Sequence, residues 1–279
     1  MEKGVRRVLR FFLFTFLWTW VAYFTIIAFR LSPYSGAGMP LLIIGGCAPT
    51  FVGLIMAMRC MGRTERKDYL LSIVDVRRIS VGWWLFILFA YPLVNAVAVG
   101  VDVLLGGTLP TMVTLRAAAA NPISLVPLLL LSFMSGPFSE ELGWRGFVLR
   151  PLTQRFGFGW AAVALGLVWS AWHLPLYMMP ETWHGSAGFG LYGFVSFVAL
   201  SVGLSLSMGV VFLQTRGSIL SAMLLHLSSN LTSQLLQVVA PRAELLRSLL
   251  MLALGIAMAA RHGWQTKSES KGLLRRMEP

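Results

Sequence analysis

Apolar residues dominate the chain in eight long runs, at 9–29, 40–61, 81–105, 123–150, 158–179, 191–215, 218–239 and 246–260, with short polar stretches between them. A helix needs about 20 consecutive apolar residues to cross a hydrocarbon core. The pattern therefore predicts an all-α fold, a polytopic transmembrane helical bundle of about eight spans. The last run is short, and a tilted, partial or interfacial helix fits it as well as a full span. The longest polar stretch inside the chain, 62–80, mixes Arg63, Glu65, Arg66, Lys67 and Asp68 with Leu70, Leu71, Ile73 and Val74. An amphipathic helix at the headgroups and a solvated loop both accommodate that mixture. No composition shift, long linker or internal repeat divides the chain, so residues 1–279 are expected to form one integral membrane domain. Its polar motifs cluster in a core at about 123–239.

Hydrophobic residues make up 57% of the sequence and charged residues only 12%, against roughly 25% charged in soluble domains. The net charge of +12 is mostly a matter of topology. With the N-terminus inside, only Arg30, Arg116, Arg242 and Arg247 of the 23 Lys and Arg residues face outward. That bias is the one expected of a multi-pass protein with both termini in the cytoplasm. Contact with anionic headgroups accounts for the remaining basic charge, and no aromatic–basic interleaving marks a nucleic-acid surface. The lipid bilayer, not nucleic acid, is the expected partner. An Arg-rich, Lys-poor chain with short loops points to a prokaryotic plasma membrane. Lys3 to Arg10 ahead of the first run imitates a signal peptide, but the run exceeds the usual h-region of about 7 to 15 residues, so a retained first helix is expected. Arg276-Met277-Glu278-Pro279 carries no prenylation signal. Cys47 and Cys60 lie too far apart along one run to bridge each other, and read as packing residues.

Three polar groups interrupt the apolar runs. Glu140 and Glu141 stand side by side in the fourth, where even a lenient scale puts one charge at about 2.5 kcal/mol or more. Glu141 and Arg145 are four apart, so they share a helical face and can pair, while Glu140 points about 100° away and stays available as a base. Gly136-Pro137 just upstream predicts a kink or a restart, with Ser139 capping a new helix whose dipole favours the two acids. His173 lies late in the fifth run, ahead of Pro175; alone such a histidine is most often a hydrogen-bonded core residue. His226 and Asn230 in the seventh run again share a face. As a pair they suit a site or simple interhelical hydrogen bonding. Trp169 and Trp172 read as packing groups. Asn230-Leu231-Thr232 matches a glycosylation sequon, but it falls within a span.

In this order on three separate runs, Glu-Glu-x-x-x-Arg, Trp-x-x-x-His and His-x-x-x-Asn resemble the three motifs of the CPBP intramembrane proteases, the group that contains the type II CAAX prenyl endopeptidases. The resemblance covers about 135–232, and Trp169 stands where many members carry Phe. It implies an intramembrane endopeptidase acting on a membrane-associated protein or peptide, a prenylated CAAX sequence included. By the same resemblance Glu140 and His173 position and deprotonate the attacking water, His226 and Asn230 stabilise the oxyanion, and Glu141 with Arg145 supports the site. No cofactor is favoured. Zinc is the alternative, with Glu140, His173 and His226 as its ligand set and an open position for water. Two rival functions use the same residues: a proton-coupled transporter with the acids and histidines as a relay, and a silent scaffold of the same fold.

Helix rise sets a condition on this site. Counted from the ends of their runs at about 1.5 Å per residue, Glu140 and His173 lie at different depths. Their meeting requires the fourth helix to start nearer Leu129 or the fifth nearer Ala162, and both shifts are expected. Asp102 is expected to face water or headgroups, His184 to sit in an outer loop, and His262 to belong to the basic C-terminal tail.

Overall fold

Helix accounts for most of the computed structural model, which describes residues 3–237, 240–262 and 264. The end of the seventh run, the side chain of His262 and the basic tail with Lys267, Lys271, Arg275 and Arg276 lie outside the described residues. The first apolar run forms α1 (Lys3–Ala28). The second is two helices, α2 (Gly38–Gly46) and α3 (Ala48–Cys60), bent by 41° where Cys47 separates them. Pro49 at the start of α3 cannot donate the hydrogen bond that a straight helix would need there. The polar stretch 62–80 folds into α4 (Arg63–Ser72) and a short turn, Val76–Arg78. α4 is docked on the bundle, for Tyr69 is buried and its hydroxyl donates to the Leu142 carbonyl at 2.9 Å.

α5 (Val81–Leu104) and a short α6 (Val113–Ala120) precede the fourth run. That run is one rod across Pro122–Phe156, built from α7 (Leu125–Phe133), a π-helical turn Met134–Phe138, α8 (Ser139–Gly143), a second π-helical turn Trp144–Leu149 and α9 (Arg150–Phe156). The expected restart at Ser139 does not occur. The wide turn takes up Gly136-Pro137 without breaking the helix, a device that recurs at functional sites. Ser139 is consequently no cap; its hydroxyl donates back to the Gly136 carbonyl at 3.1 Å. Without a helix start there is no local dipole to favour the acids, so their burial rests on side-chain partners.

Gly157 (φ 83°) turns the chain into α10 (Phe158–Trp172), a conformation that favours glycine. A tight turn, Leu174–Met178, and α11 (Trp183–Ala187) lead through a π-helical turn, Leu191–Val195, to α12 (Ser196–Gln214). α13 (Ile219–Leu236) and α14 (Pro241–His262) complete the order. α12 is the most enclosed span. It meets α14 through Gly203 and Gly255, each close to the other helix's backbone, and α10 through Gly166 against Val202 and Ser205 donating to the Ala162 carbonyl at 2.8 Å. Small residues of this kind let helices approach where lipid removes any hydrophobic drive between them.

Six described helices are long and apolar enough to cross a membrane, and the bent α2–α3 pair makes seven. The protein is thus a multi-pass, all-α membrane bundle. α14 meets that test, although its run was the shortest in sequence. α13 does not, because His226, Asn230 and Gln234 lower its hydropathy; those residues instead face neighbouring helices. Gln234 donates to Ser132 at 2.9 Å and Ser233 lies 3.3 Å from the Tyr91 hydroxyl. Arg145 and Arg247, counted on opposite sides of the membrane, are 0% and 3% exposed and so enclosed by protein.

Candidate active site

The middle of the fourth span is held by backbone packing. Gly53 of α3 lies so close to Gly143 that an added Cβ would sit 2.6 Å from its Cα, and Thr50 donates to the Phe138 carbonyl at 2.6 Å. This wedges α8 between α3 and α13 and fixes the direction of both acids. Glu141 and Arg145 are both 0% exposed and meet one turn apart, Arg145 Nη1 lying 3.0 Å and 2.9 Å from the two carboxylate oxygens. His226 reaches the same acid from α13, its Nδ1 2.8 Å from Glu141 Oε1. Among the described residues Arg145 Nε and Nη2 have no hydrogen-bond acceptor, and the guanidinium lies 5.0 Å from the centre of the Trp169 ring.

An Nδ1–H donated to Glu141 determines what His226 does with its other nitrogen. In the neutral ring Nε2 carries a lone pair; in the imidazolium it carries a proton and donates. Nε2 is directed at Gly136. A Cβ built on that glycine would sit 3.0 Å from His226 Nε2 and 2.7 Å from Asn230 Nδ2. Two side-chain nitrogens from α13 therefore face the bare backbone of the π-helical turn, at a place where only hydrogen leaves room.

Glu140 is 4% exposed and points away from Glu141. Its Oε2 accepts the indole N–H of Trp169 on α10, not a hydrogen bond from His173. The expected meeting of Glu140 with His173 is thus not made by a hydrogen bond among the described residues. Neither helix starts late, since α7 begins at Leu125 and α10 at Phe158. The acid instead engages the residue one turn, about 5.4 Å, before the histidine. His173 follows as the residue that ends α10, its Nδ1 2.8 Å from the Trp169 carbonyl and its ring 5.9 Å from the Trp169 ring. Trp172 beside it donates to Thr19 at 2.8 Å, and Thr19 donates to the Gly45 carbonyl at 2.7 Å, next to the bend in the second span.

Three residues contribute more than their sequence positions suggested. Trp169 is a hydrogen-bond donor to an acid as well as packing; its place one turn before His173 was the available signal. Gly136 admits the two nitrogens, with its neighbour Pro137 as the only sequence cue. His184 is no remote loop residue, because 179–190 folds back and stacks its ring on His173, centroids 5.2 Å apart and planes 24° from parallel. Burial holds the His184 imidazole well below its ordinary pKa. Asp102 is also repositioned. It is 3% exposed, enclosed by protein, and pairs with the half-exposed Arg242.

The zinc set does not fit. Among the described residues no three His, Cys, Asp or Glu side chains come together as metal ligands. Glu140, the acid of that set, is turned to an indole. No step is derived through a metal.

A buried carboxylate–imidazole pair, a second acid and two converging nitrogens thus lie together within the polytopic membrane bundle. Residues 122–232 match the family model described as type II CAAX prenyl endopeptidase Rce1-like. Over 239 residues the chain is 27% identical to a protein named CAAX prenyl protease 2 from Methanococcus maripaludis, covering 82% of this chain and 84% of the relative. The chain is thus similar to Rce1-like CAAX endopeptidases over the residues that build this site.

Proposed function

We propose that the protein is an endopeptidase that cuts a membrane-associated protein or peptide by glutamate-activated water, with a prenylated CAAX sequence as the substrate class to test first. That class comes from the name of the relative. The observation that carries the reading is the pair of nitrogens, His226 Nε2 and Asn230 Nδ2, set against Gly136 beside the two acids. Glu140 takes a proton from water while the oxygen adds to the scissile carbonyl. His173, with Nδ1–H given to the Trp169 carbonyl, offers its Nε2 lone pair to orient that water. Asn230 donates to the developing oxyanion, and His226 does so as an imidazolium whose counter-charge is Glu141, held in turn by Arg145. Glu140 then returns its proton to the leaving amine. We read the chain as one membrane domain of eight spans, counting α13, with both termini in the cytoplasm of a prokaryotic cell.

The test is cleavage of a farnesylated CAAX peptide by the full chain in proteoliposomes. Glu140→Gln is expected to lower kcat by about 10²- to 10⁴-fold, the range of general-base catalysis, and His226→Ala and Asn230→Ala by about 10²- to 10³-fold each, as for lost oxyanion donors. Wild-type turnover by Glu140→Gln overturns the reading. Cleavage of an unprenylated membrane peptide only would keep the chemistry and replace the substrate class.

A further inference from the structure

Trp169 touches every charged or titratable group assigned above except Glu141. Its indole N–H donates to Glu140 Oε2, its ring lies 5.3 Å from the His226 ring at 79° and 5.0 Å from the Arg145 guanidinium carbon, and its carbonyl holds His173 Nδ1 at 2.8 Å. The side chain is 3% exposed. Resting on the reading of Glu140 as the base, we propose that Trp169 is a positioning residue. Its N–H locks the Glu140 carboxylate by one oxygen and leaves Oε1 as the oxygen that meets water.

The physical case is one of geometry. Glu140 sits beside a π-helical turn, and Oε2 makes no other protein hydrogen bond among the described residues. Three side-chain torsions would otherwise be free to swing the acid out of line. A hydrogen bond to a charged group is short and directional. An indole supplies that single donor without titrating and without competing for the proton that the base must carry. The same ring faces His226 and Arg145, so one rigid side chain relates the base to the nitrogens on the other side of the site. A phenyl ring at this position keeps the ring contacts and the backbone carbonyl but supplies no donor.

Trp169→Phe is therefore the informative substitution. In the full chain, with the farnesylated peptide, kcat is expected to fall about 10- to 100-fold with KM and thermal midpoint unchanged, the scale on which misplacing a catalytic group acts. A role in packing alone predicts wild-type kcat, or a lowered midpoint with KM and kcat changing together, and either result overturns the proposal. A second measurement does not depend on that variant folding. In protein labelled with ¹⁵N-tryptophan in micelles, the Trp169 indole proton is expected far downfield in wild type and shifted upfield in Glu140→Gln, with Asp102→Asn without effect. Identical indole spectra for wild type and Glu140→Gln also overturn it. The two readings fail differently. Activity surviving in Glu140→Gln removes the base, whereas an inactive Glu140→Gln beside a fully active Trp169→Phe removes only the role of Trp169.

Discussion

Among the described residues three buried acids pair with an arginine, and two of these places, at Asp102 and at Glu141, are built for different ends. Between α5 and α14, Asp102 accepts from Arg242 Nε, while Arg242 Nη2 donates to the Asp102 carbonyl at 2.9 Å and the Leu105 carbonyl at 3.1 Å. The arginine closes the C-terminal end of α5, where helix carbonyls otherwise lack donors. Its own side chain remains 45% exposed. In the fourth span, Glu141 and Arg145 are fully enclosed, yet Arg145 keeps two donors without acceptors among the described residues and His226 directs a nitrogen at bare backbone. Burial of charge by itself thus distinguishes nothing. The difference lies in where the remaining hydrogen-bonding capacity points, to a helix end in one case and into the meeting place of three spans in the other.

Substitutions sharpen that contrast, beginning with the largest expected effect. Replacing Glu141 by Gln leaves Arg145 as a buried charge without its partner and takes the acceptor from His226. Breaking such a pair costs about 3–5 kcal/mol, so both thermal stability and turnover are expected to collapse; a stable, active Glu141→Gln protein would deny that the pair is a unit. Gly136→Ala is expected to leave the protein folded while lowering kcat by about 10²-fold, comparable to losing one oxyanion donor. Kinetics on the purified variant decides this, and an unimpaired enzyme would move the oxyanion away from that glycine. Asp102→Asn is expected to cost about 1–2 kcal/mol, since the side chain can still accept from Arg242 but without charge assistance. Turnover should persist, and a dead Asp102→Asn enzyme would erase the distinction between the two regions. Smallest is His184→Ala, which removes a stacked ring from His173 but no described hydrogen bond to it. A change of only a few-fold in kcat is expected, on the scale of about 0.5–1.5 kcal/mol for an aromatic contact, measured against wild type in the same vesicles.

Much of the site was legible because helical spacing is local. Glu141 and Arg145 meet one turn apart as their numbers require, and Glu140 diverges for the same reason. Trp169 packs in the core as expected, but its donor role was not legible, because the two roles look identical until the acid opposite is known. The partner of Asp102 lies 140 residues along the chain and that of His226 lies 85, distances over which spacing carries no information. The π-helical turn escaped notice for a subtler reason. Gly136-Pro137 signals that an ordinary helix cannot continue, but says nothing of whether the chain breaks or widens by one residue.

What the sequence determined alone was the membrane bundle, the order of its motifs and the residue types able to do hydrolytic chemistry, because span length, helical period and the cost of buried charge act within a few turns. Only the tertiary structure decided that Glu140 faces an indole, that Asp102 closes a helix end, and that two nitrogens of α13 share one bare glycine. Those outcomes depend on how closely α3, α8, α10 and α13 approach one another, and that approach is set by glycines and threonines on different helices at once.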